Sequence, residues 1–288
     1  MAARNELAAR RGHGGRSIRF RPRSPRQLRR ARLGVTTAAA GDSAQPRRLT
    51  ARSIILSAFL GAPAEAKAGE ILALAALVGL QESAVRVALT RMVAAGDLER
   101  SDGYYRLSER LRRRQARQEE AHHPHVLAWS GQWTMVIVTR TGEAAPERVS
   151  LRETLRQLRF RELRDGAWTR PNNLDIALPD HVTERSTVFT ATPVANARAL
   201  ADELFAPQEW ADLGERLLTE MATAETLADR FEIAAAIIRH LLDDPLLPAE
   251  LSDADWPGPR MRESYDRFRR EFATLTEAHL GRSFYNEG

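Results

Sequence analysis

The sequence has 288 residues, of which 43% are hydrophobic and 28% are charged, and its formal net charge is +5. This composition excludes an intrinsically disordered chain and leaves room for two or three domains. There is no cysteine, which excludes disulfides, thiolate zinc sites and cysteine nucleophiles. The longest apolar run, near residues 71–80, is far shorter than the roughly 18 to 20 residues that span a bilayer. We therefore expect a soluble, cytoplasmic protein.

Residues 1–48 form a basic arm. They hold thirteen arginines against Glu6 and Asp42, which gives the arm a charge of +11 and leaves −6 for residues 49–288. The arm contains glycines and prolines and sustains no apolar period, so we expect it to be disordered. Three interpretations stay open: a tail that adds non-specific phosphate contacts, an organelle-targeting segment, or an extension that results from a misplaced start codon.

Residues 49–108 predict a winged helix-turn-helix domain. A first helix with Thr50 as its N-cap is followed by an apolar segment that reaches Gly79. Another helix then runs to Gly96, and a short hairpin turns at Gly103, where glycine permits the positive φ of a two-residue turn. Helix, turn, helix and hairpin in this order are commonly used to read duplex DNA.

The helix predicted over residues 82–95 has an apolar stripe and an opposite face suited to a DNA groove. The stripe consists of Val85, Ala88, Leu89 and Met92. The candidate DNA-binding residues are Ser83, Arg86, Val87, Thr90 and Arg91 on this helix, with Arg100 and Arg106 on the hairpin. We expect Arg86 and Thr90 to reach base edges and Val87 to touch a thymine methyl, with the other arginines on phosphates. The alternative is a solvated helix face.

Residues 109–128 predict a linker helix that Ser108 caps. Its arginines either lie near the phosphate backbone or face solvent; they are Arg110, Arg112, Arg113, Arg114 and Arg117. Three histidines follow around a proline, at His122, His123 and His125. Because no thiol or clear carboxylate partner accompanies them, we expect no metal site.

Residues 129–193 predict a ferredoxin-like α+β domain. The expected order is a central strand from Gly131, a helix over residues 147–158, a hairpin at Gly166 and a returning strand over residues 187–192. The inner side of the helix is predicted to carry Val149, Leu151, Leu155 and Leu158. Some small nucleases have this shape, but the first strand offers no acidic metal ligand between Thr134 and Thr139. We therefore interpret the domain as structural.

Residues 194–288 predict a helical domain for effector binding and dimerisation, with helices over residues 195–205, 208–223, 224–243 and 261–280. The third helix is the most apolar, and Arg230, Arg239 and His240 on it are the candidate effector-binding residues. His240 is equally typical of a satisfied interior or rim histidine. Trp256, which lies in a proline-rich loop, predicts a packing contact.

Seven stretches, in a specific order over residues 49–280, carry a family resemblance. They are Ala51-Arg52-Ser53, residues 84–93, residues 104–108, Gly131-Gln132-Trp133, residues 155–160, residues 165–171 and Asp255-Trp256-Pro257-Gly258. In this order they resemble the PaaX family of bacterial transcriptional regulators. The resemblance implies an N-terminal winged helix, a central ferredoxin-like domain similar to a CRISPR-associated endonuclease, and a helical C-terminal domain. The activity it implies is operator binding that an aryl-acetyl coenzyme A thioester relieves.

The expected partners are a double-stranded operator, which would be an inverted repeat read by a homodimer, and a small-molecule effector. No cofactor and no membrane partner is expected. Two features depart from the family pattern: the wing is short, at Ser101-Asp102-Gly103, and Gln81 stands where a better N-cap is expected. Two alternatives remain. One is an enzyme acting on acyl coenzyme A or nucleic acid, although no nucleophile elbow or P-loop occurs. The other is a protein-binding adaptor.

Overall fold

The fold is taken from a computed structural model that describes residues 50–60, 65–140, 142 and 144–280. The basic arm, residues 1–48, lies outside the described residues, so the interpretations of it stay predictions. Residues 48–288 form one compact unit. Within the described residues, no helix is both long and apolar enough to cross a bilayer.

The N-terminal part combines three helices with a small antiparallel sheet. Its elements are α1 (Ala51–Leu60), β1 (Ala66–Lys67), α2 (Ala68–Leu77), α3 (Glu82–Ala94), β2 (Leu98–Ser101) and β3 (Tyr104–Leu107), with strand order β1-β3-β2. The hairpin between β2 and β3 turns at Asp102 and Gly103, whose φ angles are 53° and 82°. Two successive positive φ angles match the twist of a two-residue hairpin turn. The element order is that of a winged helix-turn-helix.

The helices of this part pack through apolar stripes at helical spacing. Ile54, Ile55 and Phe59 of α1 meet Leu74 of α2 and Leu89 of α3 in one buried cluster. Each of these side chains is at most 2% exposed. The cluster continues into Phe231, Phe268 and Phe272 of the C-terminal helices. The winged part therefore has no separate core, and its second helix, α2, contacts the C-terminal part.

Two N-caps differ in how they work. The Thr50 hydroxyl accepts a hydrogen bond from the Ser53 amide at 3.1 Å, as expected of an N-cap. The helix α4 (Glu109–His122) begins after Ser108, but the Ser108 side chain makes no capping hydrogen bond, and its buried Oγ has no partner among the described residues. The prediction that the Ser108 side chain caps this helix is therefore wrong. Gln81 also makes no side-chain cap for α3.

The central part is a four-stranded antiparallel sheet with one long helix. Its elements are β4 (Trp133–Val138), α5 (Ala145–Gln157), β5 (Arg161–Arg164), β6 (Ala167–Pro171), α6 (Asp180–Thr183) and β7 (Ser186–Ala191). The strand order β5-β6-β4-β7 places the first strand in the interior of the sheet, as a ferredoxin-like fold requires. The layer of helices is uneven, because α6 is a single turn.

One predicted inner residue of α5 is on the outside. Leu151 and Leu155 are buried, whereas Val149 is 66% exposed. At about 100° per residue, Val149 lies roughly 200° from Leu151, while Leu155 lies within about 40° of it. The prediction for Val149 is wrong because it followed hydrophobicity instead of helical phase.

The C-terminal part is helical. It comprises α7 (Ala197–Phe205), α8 (Pro207–Thr223), α9 (Leu227–Leu242), a short 3-10 turn (Ala249–Leu251) and α10 (Gly258–Leu280). The helix α9 starts three residues later than predicted because the Thr226 hydroxyl caps it, accepting a hydrogen bond from the Asp229 amide at 3.0 Å. Trp256 stacks on Trp210 with ring centroids 4.5 Å apart, so it is the packing contact that its proline-rich loop predicts.

The buried residue Asp244 lies where the linker helix, the central sheet domain and the C-terminal helices meet. Asp244 is 0% exposed; its Oδ2 accepts a hydrogen bond from Arg262 Nη2 at 2.7 Å, and its carbonyl accepts one from Arg159 Nε at 2.9 Å. Arg262 Nε donates in turn to the carbonyl of Ala121 at the end of α4, at 3.1 Å. The linker helix, the central sheet domain and the C-terminal helices therefore converge on one polar contact.

Candidate nucleic-acid interface

The exposed face of α3 brings together the five residues that the sequence singled out on it. Ser83, Arg86, Thr90 and Arg91 are exposed, and 49% of Val87 is exposed although its side chain is apolar. Val85, Leu89 and Met92 lie on the opposite face and are buried. The helix is thus packed on one side and open on the other, which is the geometry a groove-reading helix needs.

Arg86 is oriented by its own helix. Its Nε donates to Glu82 Oε1 at 2.7 Å, in an i,i+4 pair whose two side chains are 60% and 63% exposed. Such an exposed pair is worth little in stability, so a base edge or phosphate can take the place of Glu82. The Thr90 hydroxyl donates to the Arg86 carbonyl at 3.1 Å, which fixes where its oxygen and methyl group point.

Arg91 is the least engaged cation on this face. Within the part of the chain that the structure describes, its guanidinium makes no hydrogen bond and no ion pair. It borders a groove of about 360 Å³ between the start of α1 and α3, together with Ala84, Val87 and Ala88. Small side chains let a DNA backbone approach closely, so Ala84 also contributes to this face. The candidate residues predicted from the sequence did not include it, because it carries no charge and no donor.

The hairpin does not present its two arginines together. Arg100 faces Tyr105 across the strand pair, and its guanidinium lies 5.7 Å from that ring. Arg106 faces Glu99 on the other side of the hairpin, and its Nε donates to Glu65 at 2.8 Å. Because side chains alternate along a strand, a single phosphate chain on one face of the wing would meet one of these arginines.

Two cations near α3 and the wing were missed as candidate site residues. Lys67 is exposed on β1 and lies 5.2 Å from the Tyr104 ring, beside the wing. Arg52 lies in the first turn of α1, where it lines the same groove as Arg91. The signal for Arg52 was present in the sequence, because it belongs to the Ala51-Arg52-Ser53 stretch.

The arginines of the linker helix α4 are largely neutralised by their neighbours. Arg112 and Arg113 donate to Glu109 at 3.2 and 3.0 Å, and the hydrogen bond from Arg113, then that from Arg112, lowers the pKa of this carboxyl. Arg110 donates to the buried Asp97. These contacts favour a structural role for the three residues over contact with a phosphate backbone.

The predicted effector-binding residues do not converge. The Arg230 guanidinium is paired with Glu271. Arg239 lies further along α9, and its side chain is exposed. His240 stacks on Trp210 at 4.3 Å, and its Nε2 lies 2.9 Å from the Trp210 carbonyl. Burial lowers the pKa of His240, so the neutral ring donates this hydrogen bond. His240 is thus a satisfied rim histidine.

The histidines at the end of α4 do have carboxylate neighbours, contrary to the prediction. Glu119, His122 and His123 place ligand-type atoms within 4.8 Å of one another, and His122 Nε2 lies 3.0 Å from Asp266 Oδ1. His122 is buried, and this burial lowers its pKa. However, Arg269 Nη1 lies 3.3 Å from His122 Nδ1 and 3.5 Å from Glu119. The positively charged guanidinium of Arg269 therefore already lies beside these ligand-type atoms.

Comparisons with known proteins cover most of the chain. The family model described as PaaX-like protein matches residues 50–111, the PaaX central Cas2-like domain matches residues 127–201, and the PaaX-like C-terminal domain matches residues 202–282. A search of curated proteins found no match. A solved structure, the uncharacterized protein Rv0674 from Mycobacterium tuberculosis, is 48% identical and has a TM-score of 0.71. The similarity covers 80% of this chain and 99% of that one. The chain therefore belongs to the PaaX family.

Proposed function

We propose that this protein is a DNA-binding transcriptional repressor of an aromatic-acid catabolic operon, released by an aryl-acetyl coenzyme A thioester. Membership of the PaaX family supports a transcriptional regulator. The observation that carries DNA binding is the open face of α3, where Arg86, Thr90 and Arg91 surround the exposed apolar side chain of Val87. A long donor beside a small apolar group can read a base edge and a thymine methyl together.

In the proposed complex, α3 binds in the major groove of the operator DNA. Arg86 and Thr90 contact base edges, and Ser83 lies at the N-terminal end of the same face. Arg91, Arg106 and Arg100 hold phosphates, with the two wing arginines on different faces of the hairpin. A homodimer carries two such helices, so the operator is an inverted repeat whose half-sites lie one helical turn apart or a multiple of it.

Release requires the effector to prefer the conformation that does not bind DNA, because a ligand shifts an equilibrium only by its differential affinity for the two states. The apolar cluster that the winged part shares with the C-terminal helices supplies a route, because a shift of those helices would change the packing of the winged part.

The test is binding of the full chain to the DNA beside its own gene, measured by fluorescence anisotropy against a shuffled duplex, with and without phenylacetyl coenzyme A. We expect preferential binding to the first duplex, a steep decrease of affinity with salt, and release by the thioester. Equal binding to both duplexes would overturn sequence reading. Specific binding that the thioester leaves unchanged would retain the regulator and reject this effector. Salt-independent association would favour the adaptor.

A further inference from the structure

A cavity of about 230 Å³ lies between the winged part and the C-terminal helices. Residues of α1, α4, α9 and α10 line it, including Arg52 and Leu56 from α1. Its walls therefore belong both to the helix that supports α3 and to the domain predicted to bind an effector. A ligand here would contact both parts at once.

Part of the cavity lining is aromatic. Phe231, Phe268 and Phe272 contribute to it, and the Phe231 ring lies 5.8 and 5.4 Å from the other two in edge-to-face geometry. An aromatic ring is a suitable guest, because edge-to-face contact with such walls is favourable. A cavity of roughly 150 Å³ holds benzene. The present one has space for a single substituted ring but not for a nucleotide.

The cavity lining also includes two guanidiniums that have no carboxylate partner in the described part of the chain. Arg114 and Arg239 line the cavity, and within the described residues neither makes a hydrogen bond or an ion pair. Burial lowers the pKa of Arg114, and the nearby positive charge of Arg239 lowers it further. Two unpaired cations that repel each other favour an anion between them.

Two further donors in the cavity also lack partners. Gln118 is 6% exposed and makes no hydrogen bond in the described part of the chain. The Tyr265 hydroxyl makes none there either, and burial raises its pKa, so it stays protonated. Buried polar side chains in native proteins are nearly always paired, which for the buried Gln118 favours a polar ligand; Tyr265 is half-buried. A ligand oxygen would satisfy both groups.

We propose that this cavity is the effector site and that it takes the aromatic acyl end of a negatively charged ligand. The ring lies against the three phenylalanines, an acyl oxygen accepts hydrogen bonds from Gln118 and Tyr265, and the charge lies near Arg114 and Arg239. This inference rests on the proposed function for its effector. Of the three candidates from the sequence, it retains Arg239 and excludes Arg230 and His240, neither of which lines the cavity.

Arg52 connects this site to the DNA-reading helix. It lines the cavity, and its Nε also donates to Asp97 Oδ2 at 3.2 Å. The Asp97 amide donates to the Met92 carbonyl at 2.9 Å, at the C-terminal end of α3. A negatively charged ligand group close to Arg52 competes with Asp97 for it, so binding favours a different placement of α1 against α3.

The shared chemistry, an aromatic acyl group on an anionic ligand, has two sources: the free aryl-acetic acid, whose charge is its own carboxylate, and its coenzyme A thioester, whose charge lies on the phosphates. With the free acid the carboxylate meets Arg114 and Arg239. With the thioester only the neutral acyl part fits, and the negatively charged phosphates remain outside the cavity near the exposed side chain of Arg239. Isothermal titration calorimetry of the full chain with phenylacetate, phenylacetyl coenzyme A and coenzyme A alone distinguishes the two.

We expect one of the two acyl probes to bind and coenzyme A alone to bind at least tenfold more weakly. Arg239→Gln and Gln118→Leu should each weaken binding at least tenfold, because both remove a donor and neither breaks a contact in the described structure. Arg216→Gln is the matched control: it is an exposed arginine on α8 that does not line the cavity. Its affinity should equal that of the wild type.

Circular dichroism and thermal melting establish that each variant is folded. Binding that both cavity variants leave unchanged, or no binding of either acyl probe to the folded wild type, would overturn the proposal. DNA binding is measured separately on the same samples. A chain that binds the acyl probe but no specific DNA would refute the proposed function and leave the cavity assignment standing, and the converse result would refute the cavity alone.

Discussion

Arg52 and Asp97 are joined across the winged part: the Arg52 guanidinium donates to a carboxylate that is 1% exposed, while 55% of the Arg52 side chain remains in contact with solvent. Arg110 of the linker helix donates to the other oxygen of Asp97. Three elements, α1, the segment after α3 and α4, are therefore held by one buried carboxylate. A buried charge is stable only when such partners compensate its lost hydration.

The first prediction concerns the stability that Asp97 provides. Asp97→Ala should lower the free energy of unfolding by about 2 kcal/mol, because it removes charge-assisted hydrogen bonds to two arginines. Urea denaturation measures this. Glu263→Gln is the control, since its partner Arg267 is an exposed i,i+4 neighbour, and it should cost less than about 0.5 kcal/mol. Equal losses in the two variants would contradict the role assigned to Asp97.

The second prediction concerns base reading by Arg86. Arg86→Ala should cost about 1 to 3 kcal/mol of binding to the preferred duplex and reduce the preference for it over a shuffled one. Arg267→Ala is a matched control, because its 63% exposed side chain also forms an i,i+4 pair, on α10. Fluorescence anisotropy with both duplexes checks the result. If Arg86→Ala weakens binding to both duplexes equally, Arg86 contacts phosphate instead.

The third prediction concerns Arg91. We expect Arg91→Ala to weaken binding to all duplexes alike and to reduce the slope of log affinity against log salt by about 0.9, the value for one released counterion. Its folding should be unaffected, since its guanidinium makes no ion pair within the described residues. Anisotropy titrations at four salt concentrations measure the slope. An unchanged slope would remove Arg91 from the interface.

The fourth prediction concerns Gly258, the last residue of the Asp255-Trp256-Pro257-Gly258 stretch. A Cβ at Gly258 would lie 2.8 Å from both Trp256 Nε1 and Arg262 Nη1, and 3.0 Å from Asp244 Oδ2. Gly258→Ala should therefore destabilise the chain by about 2 kcal/mol, because the added carbon would overpack the contact between Asp244 and Arg262. Gly69→Ala, where no atom lies within 4 Å of the added carbon, is the control and should be close to neutral. Thermal unfolding compares them.

The fifth prediction concerns acid sensitivity. Burial lowers the pKa of His240 below about 6.5, the pKa of a histidine in the unfolded chain. As the pH falls below about 6.5, the unfolded chain therefore binds a proton more readily than the folded chain. Its stability contribution is present above pH 6.5 and is lost as the pH falls towards the folded pKa. His240→Gln keeps a donor for the Trp210 carbonyl but does not titrate. Urea denaturation at pH 7.5, 6.5 and 5.5 should show a shallower decrease for this variant, and equal decreases would refute the assignment.

The sequence by itself determined the family and the order of elements. Helical periodicity at Val85, Leu89 and Met92 separated the buried face of α3 from its open face, and the φ of Gly103 followed from its place in a two-residue turn. Local signals suffice there because a stripe and a turn depend on neighbouring residues. The inner position predicted for Val149 was wrong for a local reason too, because its helical phase places it roughly 200° from Leu151.

Tertiary structure alone decided which cations are free. Arg110, Arg114, Arg230 and Arg239 are indistinguishable as letters, yet the first and third meet Asp97 and Glu271 while the second and fourth face a cavity. The carboxylates that neutralise an arginine and the donors that surround an apolar cavity come from helices distant in the chain. No spacing rule connects residues 52, 114 and 239, because only the tertiary fold brings α1, α4 and α9 to the same cavity.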